Sequence, residues 1–330
     1  MKFFVCATLL ISSVSLANEL PLPAISASQA QNTLLTDITK TTNQFVAVGK
    51  HGTVITSSNA LDWKQAEHVP TQALLTAVDF SDADNGWACG HDATIIHTGD
   101  GGDSWELQQF LPALDKPCLD ILFTTNSMGF AVGAYGMFYQ TLDGGKQWQP
   151  RFLSSLLYPE DQAYLDDLKI NDPEGYAIET ASILPHFNRI EKTPTGLMIV
   201  GEMGVMAHSN DNGQSWQRLD EIYPGSFFAL NENNTQRVVA GLRGNIFTQS
   251  SAGGQWEHIK NTKTATINSI ISYNNSWLLL ANSGVIYTLS ENQLTYQQNA
   301  DAKSILSAVV DKNKLIMTTE NGIKVKELTP

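Results

Sequence analysis

Positive charge is scarce in this chain. Only 20 of its 330 residues are Lys or Arg, against 33 Asp or Glu, and the net charge is −13. Arginine occurs at five places, Arg151, Arg189, Arg218, Arg237 and Arg243, scattered along the sequence. This balance opposes nucleic acid or anionic lipid as a partner. Cysteine is scarcer still, with three in all, and no Cys/His spacing resembles a metal site. No cofactor and no metal are therefore expected. Beyond the first 17 residues no apolar run is long enough to cross a bilayer, so direct membrane insertion is not expected. A sustained 3.6-residue apolar period is missing too, which argues against helical repeats.

What is present begins with a leader. Met1-Lys2, an apolar run over Phe3–Val14 and then Ser15-Leu16-Ala17 read as a secretory signal cut after Ala17. No Cys directly follows the cut, which disfavours a lipoprotein. The expectation is an exported, periplasmic, monomeric protein, with residues 18–330 forming one domain.

That domain is repetitive. Seven copies of a short pattern (an apolar run, a four-residue turn and an alternating strand) read VAVGKHGTVI (46–55), WACGHDATII (87–96), FAVGAYGMFY (130–139), MIVGEMGVMA (198–207), VVAGLRGNIF (238–247), LLLANSGVIY (278–287) and IMTTENGIKV (316–325). Phase markers Gly49, Gly90, Gly133, Gly201, Gly241, Ala281 and Thr319 stand 41, 43, 68, 40, 40 and 38 residues apart. A period near forty means a repeat fold in which no unit buries its apolar face alone. Each unit reads as four short strands. The second is apolar on consecutive positions, as a strand buried on both faces requires. Four antiparallel strands per forty residues describe a propeller blade. The prediction is an all-β, seven-bladed β-propeller with a short helical insertion between blades 3 and 4.

A turn with fixed chemistry recurs at the outer strands. Thr98, Asp100, Gly102 and Trp105 are repeated as Thr141, Asp143, Gly145 and Trp148, and as Ser209, Asp211, Gly213 and Trp216. The Asp accepts backbone N–H groups, the Gly accepts positive φ, and the Trp pins the turn to the blade. This resembles the Asp-box, or bacterial neuraminidase repeat, and its residues read as structural rather than catalytic.

The seventh repeat supplies strands near 304–310, 314–318 and 322–327 but no Trp strand. Residues 22–29, ahead of the first blade, are therefore expected to supply its outer strand and clasp the ring. Of the two cysteines outside the leader, Cys89 ends the second strand of blade 2 and Cys118 begins the first strand of blade 3. Both point toward one face of adjacent blades. An oxidising compartment allows a disulfide there, and two small buried thiols are the other reading.

Two regions could carry function. The turns between second and third strands share a face with the connections between blades. His51, His91, Asp92, Tyr135, Glu202 and Arg243 should ring the mouth on that face and could bind a polar ligand or a partner segment. The 68-residue spacing marks the second region, an insertion over 153–185. Pro159 followed by EDQAYLDDLKI predicts a short helix with acids in its first turn. Leu157, Tyr164, Leu165, Leu168 and Ile170 would form an apolar stripe, and Tyr158, Tyr164, Asp166 and Asp167 are candidate contacts. Long ordered insertions on a rigid scaffold are often binding elements, and a lid packing on its own ring is the alternative.

The whole mature chain resembles the photosystem II stability/assembly factor family of seven-bladed Asp-box propellers, in a non-photosynthetic bacterial branch. The residues that carry this are the V-G-x-x-G strands, such as FAVGAYG (130–136), and the D-G-G-x-x-W turns at 100–105 and 143–148. The resemblance implies a non-enzymatic protein that binds a membrane protein complex from the exported side and aids its assembly or stability. Relatives of this kind accompany envelope transport systems, including RND-type exporters. Two other readings stand beside it. A sialidase-like glycoside hydrolase also carries Asp boxes, but needs three arginines around one carboxylate together with acid and nucleophile. A periplasmic propeller binding a small ligand at its mouth is the other.

Overall fold

The computed structural model describes residues 20–251 and 253–328, so the leader lies outside the described residues. Seven antiparallel sheets follow one another along the chain, six of four strands and one of three. Their inner strands are Leu35–Lys40, Leu75–Phe80, Cys118–Phe123, Phe187–Thr193, Phe227–Glu232, Ile267–Tyr273 and Ile305–Asp311, which define blades 1 to 7. The fold is the predicted seven-bladed propeller.

The alternation of side chains along each second strand explains the architecture. In Phe45–Gly49 every residue is buried. Val46 and Val48 join Leu75, Ala88 and Ile96 of blade 2, whereas Phe45 and Ala47 join Ile316 of blade 7. Each second strand therefore serves two seams at once, and the hydrophobic core is seven apolar layers between neighbouring blades. Inner-strand side chains stitch the same seams: the hydroxyls of Thr36 and Thr76 donate to the carbonyls of Leu75 and Cys118, at 2.6 and 2.8 Å. Asn188 and Asn268 do the same to Phe227 and Ile305. Cys89 and Cys118 are joined as a disulfide across the seam of blades 2 and 3, with Cα atoms 5.8 Å apart.

The three Asp boxes form matching turns. Asp100 Oδ1 accepts the Ser104 N–H at 3.0 Å and the Thr98 hydroxyl at 2.7 Å, while the Gly102 N–H donates to Thr98 Oγ1. Trp105 Nε1 donates to the Gly102 carbonyl at 3.1 Å, closing the turn over its own ring. Asp143 and Asp211 accept from Gln147 and Ser215 in the same way. Burial raises the Asp100 carboxyl, but the bonds from Ser104 and Thr98 outweigh it and hold the group at about 2. Each box also touches the preceding blade: a Cβ on Gly102 would meet Thr56 and Val46, and one on Gly213 would meet Phe130.

One expectation fails. Residues 22–29 do not complete the last blade, which among the described residues has three strands, Ile305–Asp311, Lys314–Thr319 and Gly322–Glu327. The Ala24 N–H instead donates to the Val69 carbonyl at 2.8 Å. The Gln65 and Gln72 side chains bond Ile25 and Pro23. This extended segment straps the connection between blades 1 and 2. Pro23 removes one ladder donor from it, and the Ala24 and Ala27 N–H groups are spent on Val69 and Gln65. Closure rests on packing, with Leu35, Ile38 and Ile316 in one apolar layer and Lys40 paired to Asp311 at 2.7 Å.

The insertion contains two helices rather than one, α1 (Pro159–Asn171) and α2 (Pro173–Thr180). Both begin with proline, and Asp172 caps α2 by accepting the Gly175 N–H. The anticipated stripe is partly right: Leu165 is buried and Leu157 packs on the layer between blades 3 and 4, but Tyr164 and Ile170 are exposed.

Candidate functional site

The mouth is built by one backbone device repeated in every blade. The first residue after each second strand donates its N–H to the carbonyl that precedes the inner strand. These bonds run Lys50 to Leu34, His91 to Leu74, Ala134 to Pro117, Glu202 to His186, Leu242 to Ser226, Asn282 to Thr266 and Glu320 to Ser304, at 2.9–3.2 Å. In blades 1 to 5 a glycine before the donor lets the two backbones meet, and Ala281 and Thr319 hold that place in blades 6 and 7. A Cβ at Gly49, Gly90, Gly133, Gly201 or Gly241 would lie 2.0–2.2 Å from that same carbonyl oxygen.

A single turn of 3₁₀ helix follows, and its middle residue is left-handed in six blades. His51, Asp92, Tyr135, Met203, Arg243 and Ser283 have φ between 52° and 60°. A non-glycine residue held there costs on the order of 1 kcal/mol, and the carbonyl clamp beneath enforces it. The consequence is an arc of exposed side chains, one on each of those six blades. His51, Asp92, Tyr135 and Arg243 stand at these tips; His91 and Glu202 lie one residue earlier. Met203 and Ser283 share the tip position and are legible from the repeat register. The arc is not one bonded cluster: among the described residues no hydrogen bond or ion pair joins His51, Asp92 and Arg243. Among the described residues, mouth side chains meet on blades 3 and 4 and again on blade 7, where Lys303 Nζ lies 3.8 Å from Glu320 Oε2. The Tyr135 ring stands edge-on to His186 with centroids 4.7 Å apart, and His186 Nδ1 lies 3.8 Å from Glu202 Oε2.

The insertion docks beside that pair. The Gly136 N–H donates to the Pro185 carbonyl at 3.0 Å, and Lys116 Nζ reaches the carbonyls of Tyr135 and Ala181. Tyr158 is an anchor: its phenol donates to Glu221 Oε2 at 2.8 Å, and the Arg218 guanidinium lies 3.8 Å over its ring. The bond to Glu221 pushes the Tyr158 hydroxyl above its ordinary value. Tyr164 is exposed, and Asp166 and Asp167 are exposed acids bonded within α1 to Gln162 and Asn171.

The channel on the propeller axis holds polar residues that repeat reading did not single out. Asp37, Asp79 and Asp120 accept the backbone N–H of Val78, Phe123 and Ile190 on the next blade, at 2.7–3.0 Å. Arg189 Nη1 lies 3.3 Å from Asp120 Oδ1, and Glu191 joins the same lining. Burial pushes Asp79 up to about 7, Asp120 to about 6 and Glu191 to about 8, and Asp37 rises for the same reason. One acid at the third or fifth position of each of the first four inner strands is the signal that could have found them. The remaining arginines are engaged elsewhere: Arg151 with the carbonyls of Gly213 and Gln214, Arg218 with Leu156 and Tyr158, Arg237 with Glu232. Arg243 stands at a tip, so the five do not converge on one carboxylate.

Comparison with known proteins follows the same lines. A 27% identical match over 177 residues covers 52% of this chain and 46% of the "Photosystem II assembly lipoprotein Ycf48" of Synechococcus sp. (strain CC9902). The chloroplastic "Photosystem II stability/assembly factor HCF136" of Arabidopsis thaliana is 26% identical over 161 residues, 47% of this chain and 34% of that protein. The matched regions thus span about half or less of these relatives. Among solved structures, "YCF48 bound to D1 peptide" superposes with a TM-score of 0.66 at 16% identity, covering 94% of this chain and all of that one. The WD40 propeller domain of Doa1 superposes at 0.65 with 11% identity, covering 93% and 95%, a likeness of fold alone. Residues 55–117 and 108–327 match the family described as "Photosynthesis system II assembly factor YCF48", and the chain belongs to that family.

Proposed function

We propose that this protein is a non-catalytic scaffold that binds a membrane protein complex and aids its assembly or stability. The observation that carries this reading is family membership across residues 55–327, whose named relatives are photosystem II assembly factors, one of them solved with a D1 peptide. The rigid ring supports it: each tip is clamped by backbone, so exposed His51, Tyr135, Met203 and Arg243 are presented at little cost in ordering entropy. No helix among the described residues is long and apolar enough to cross a membrane. We place the protein as an exported monomer acting from the periplasmic side, with an envelope transport system of the RND type as the complex served. The contact lies on the mouth face, where the Tyr135–His186–Glu202 cluster stands beside the docked insertion.

The test is affinity capture from detergent-solubilised envelopes with tagged intact protein. A second bait has residues 159–180 replaced by a short Gly/Ser loop. Subunits of one membrane complex enriched by the intact bait and lost with the second support the reading and its placement. Equal recovery moves the contact off the insertion. Absence of any membrane complex from both baits overturns the scaffold reading.

A further inference from the structure

The inner strands enclose a cavity of about 470 Å³ with a lopsided lining. Its charged groups are Asp37 and Lys40 from blade 1, Asp79 from blade 2, Asp120 from blade 3, and Arg189 and Glu191 from blade 4. Blades 5, 6 and 7 contribute none. Lys40, at the end of its strand, is already engaged by Asp311 at 2.7 Å. Four carboxyl groups therefore face Arg189 alone. Three of them are occupied with backbone N–H groups of the next blade. The Glu191 carboxyl has no hydrogen bond to protein among the described residues. Neither has the hydroxyl of Ser269, which lines the cavity from blade 6 and is only 8% exposed.

A buried excess of negative charge is costly unless a proton or a cation offsets it. The Ser269 hydroxyl, with no protein partner among the described residues, adds a further acceptor open to the same space. We propose that this cavity binds a primary alkylammonium group, with Glu191 and Asp79 as its counter-charges and Ser269 Oγ as a further acceptor. An ammonium carries three donors on one centre, so one group can serve a carboxylate and a hydroxyl at once. A metal fits less well, because among the described residues no group of three His, Cys, Asp or Glu side chains is close enough to hold one. Burial favours the protonated forms of Glu191 and Asp79 toward neutral pH. Cation binding therefore displaces protons and tightens as pH rises. The ammonium can come from a free diamine or from a lysine side chain of a partner.

Isothermal titration calorimetry on the intact protein tests this, with 1,5-diaminopentane and acetyl-lysine amide as probes, at about pH 6 and about pH 8.5 in two buffers of unlike ionisation enthalpy. One-site binding is expected, with proton release and affinity about tenfold tighter at the higher pH. Glu191→Gln and Ser269→Ala should each weaken it by about tenfold, and Arg243→Ala, on the mouth, should not. Binding by the diamine alone identifies a free amine as the ligand; binding by both identifies the side-chain chemistry as sufficient. Glu191→Gln removes a charge from a desolvating site, so the variant should fold, and Ser269→Ala provides a second folded control. Absence of saturable heat for both probes up to about 10 mM, or unchanged affinity in both cavity variants, overturns the proposal.

Discussion

At the scale of single residues, the glycines before the mouth turns are set by contact rather than by φ. Gly241 has φ −178°, which any residue adopts, yet a Cβ there would sit 2.2 Å from the Ser226 carbonyl. Blade 6 makes the same turn with Ala281, at φ −137°. Gly241→Ala should therefore cost about 2 kcal/mol or more in chemical denaturation, whereas Ala281→Gly should cost less than about 1. Equal costs would remove the contact argument. The acids divide into two groups with opposite pH signs. Asp82, Asp100 and Asp211 are held at about 2 by hydrogen bonds in their turns, with burial opposing those bonds at Asp100. Their stabilisation is present above the unfolded value near 4 and is lost as pH falls through about 2. Asp79, Asp120 and Glu191 are raised by burial to about 7, 6 and 8. Their contribution is full below about 4 and lost as pH rises through those values. Glu191→Gln should accordingly lessen the fall in melting temperature between about pH 5.5 and pH 8.5. A fall as steep as in the wild type would show that Glu191 does not titrate in that range.

At the scale of elements, the insertion was legible as an extra segment and half legible as structure. Pro159 and the acids after it marked α1, but Pro173, which opens α2, stands in a polar stretch with no apolar period to reveal a helix. Its docking residues, Lys116, Glu221 and Arg218, come from three other places in the chain. Tyr158 carries the joint to the connection between blades 4 and 5. Tyr158→Phe should keep the stacking on Arg218, lose the bond to Glu221, and destabilise the hairpin locally by about 1 kcal/mol. Limited proteolysis should then cut between 159 and 180 several-fold faster, while global unfolding barely moves. An unaltered cleavage rate would place the anchor elsewhere, with Leu165 or Leu156 as the candidates.

At the scale of the whole molecule, stability is shared among seven apolar seams, and two features load particular ones. The Cys89–Cys118 disulfide ties blades 2 and 3 with a sequence separation of 29. Replacing both cysteines by serine should lower unfolding stability by about 2–4 kcal/mol, read as a lower guanidinium midpoint than the oxidised parent. A midpoint unchanged by reductant in the parent would contradict this. The segment before the first blade lies on blades 1 and 2, not on blade 7. Deleting residues 20–27 should cost only about 1–2 kcal/mol and leave the transition cooperative. Collapse of the ring on that deletion would restore the strand-exchange closure. Residues 30–32 are another matter, because Ala30 is buried in the closing seam with Ile316.

The sequence by itself determined the number of blades, the place of every second strand and turn, and the position of the insertion. These follow from local periods: an apolar run buried on both faces, a turn with its glycine, and an Asp–Gly–Trp spacing each express short-range sterics that recur whatever the neighbours do. The tip residues were legible for the same reason. Tertiary structure alone decided how the ring closes, which mouth residues touch, and that acids from four blades share one channel. The strap over 22–29 had a strand's length, but hydrogen-bond partners at Val69, Gln65 and Gln72 outcompeted the edge of Gly322–Glu327. Asp37, Asp79, Asp120 and Glu191 read as ordinary strand acids one by one. They become a desolvated cluster only when seven inner strands are wrapped around one axis, because burial and mutual repulsion are properties of the closed ring and of no single repeat.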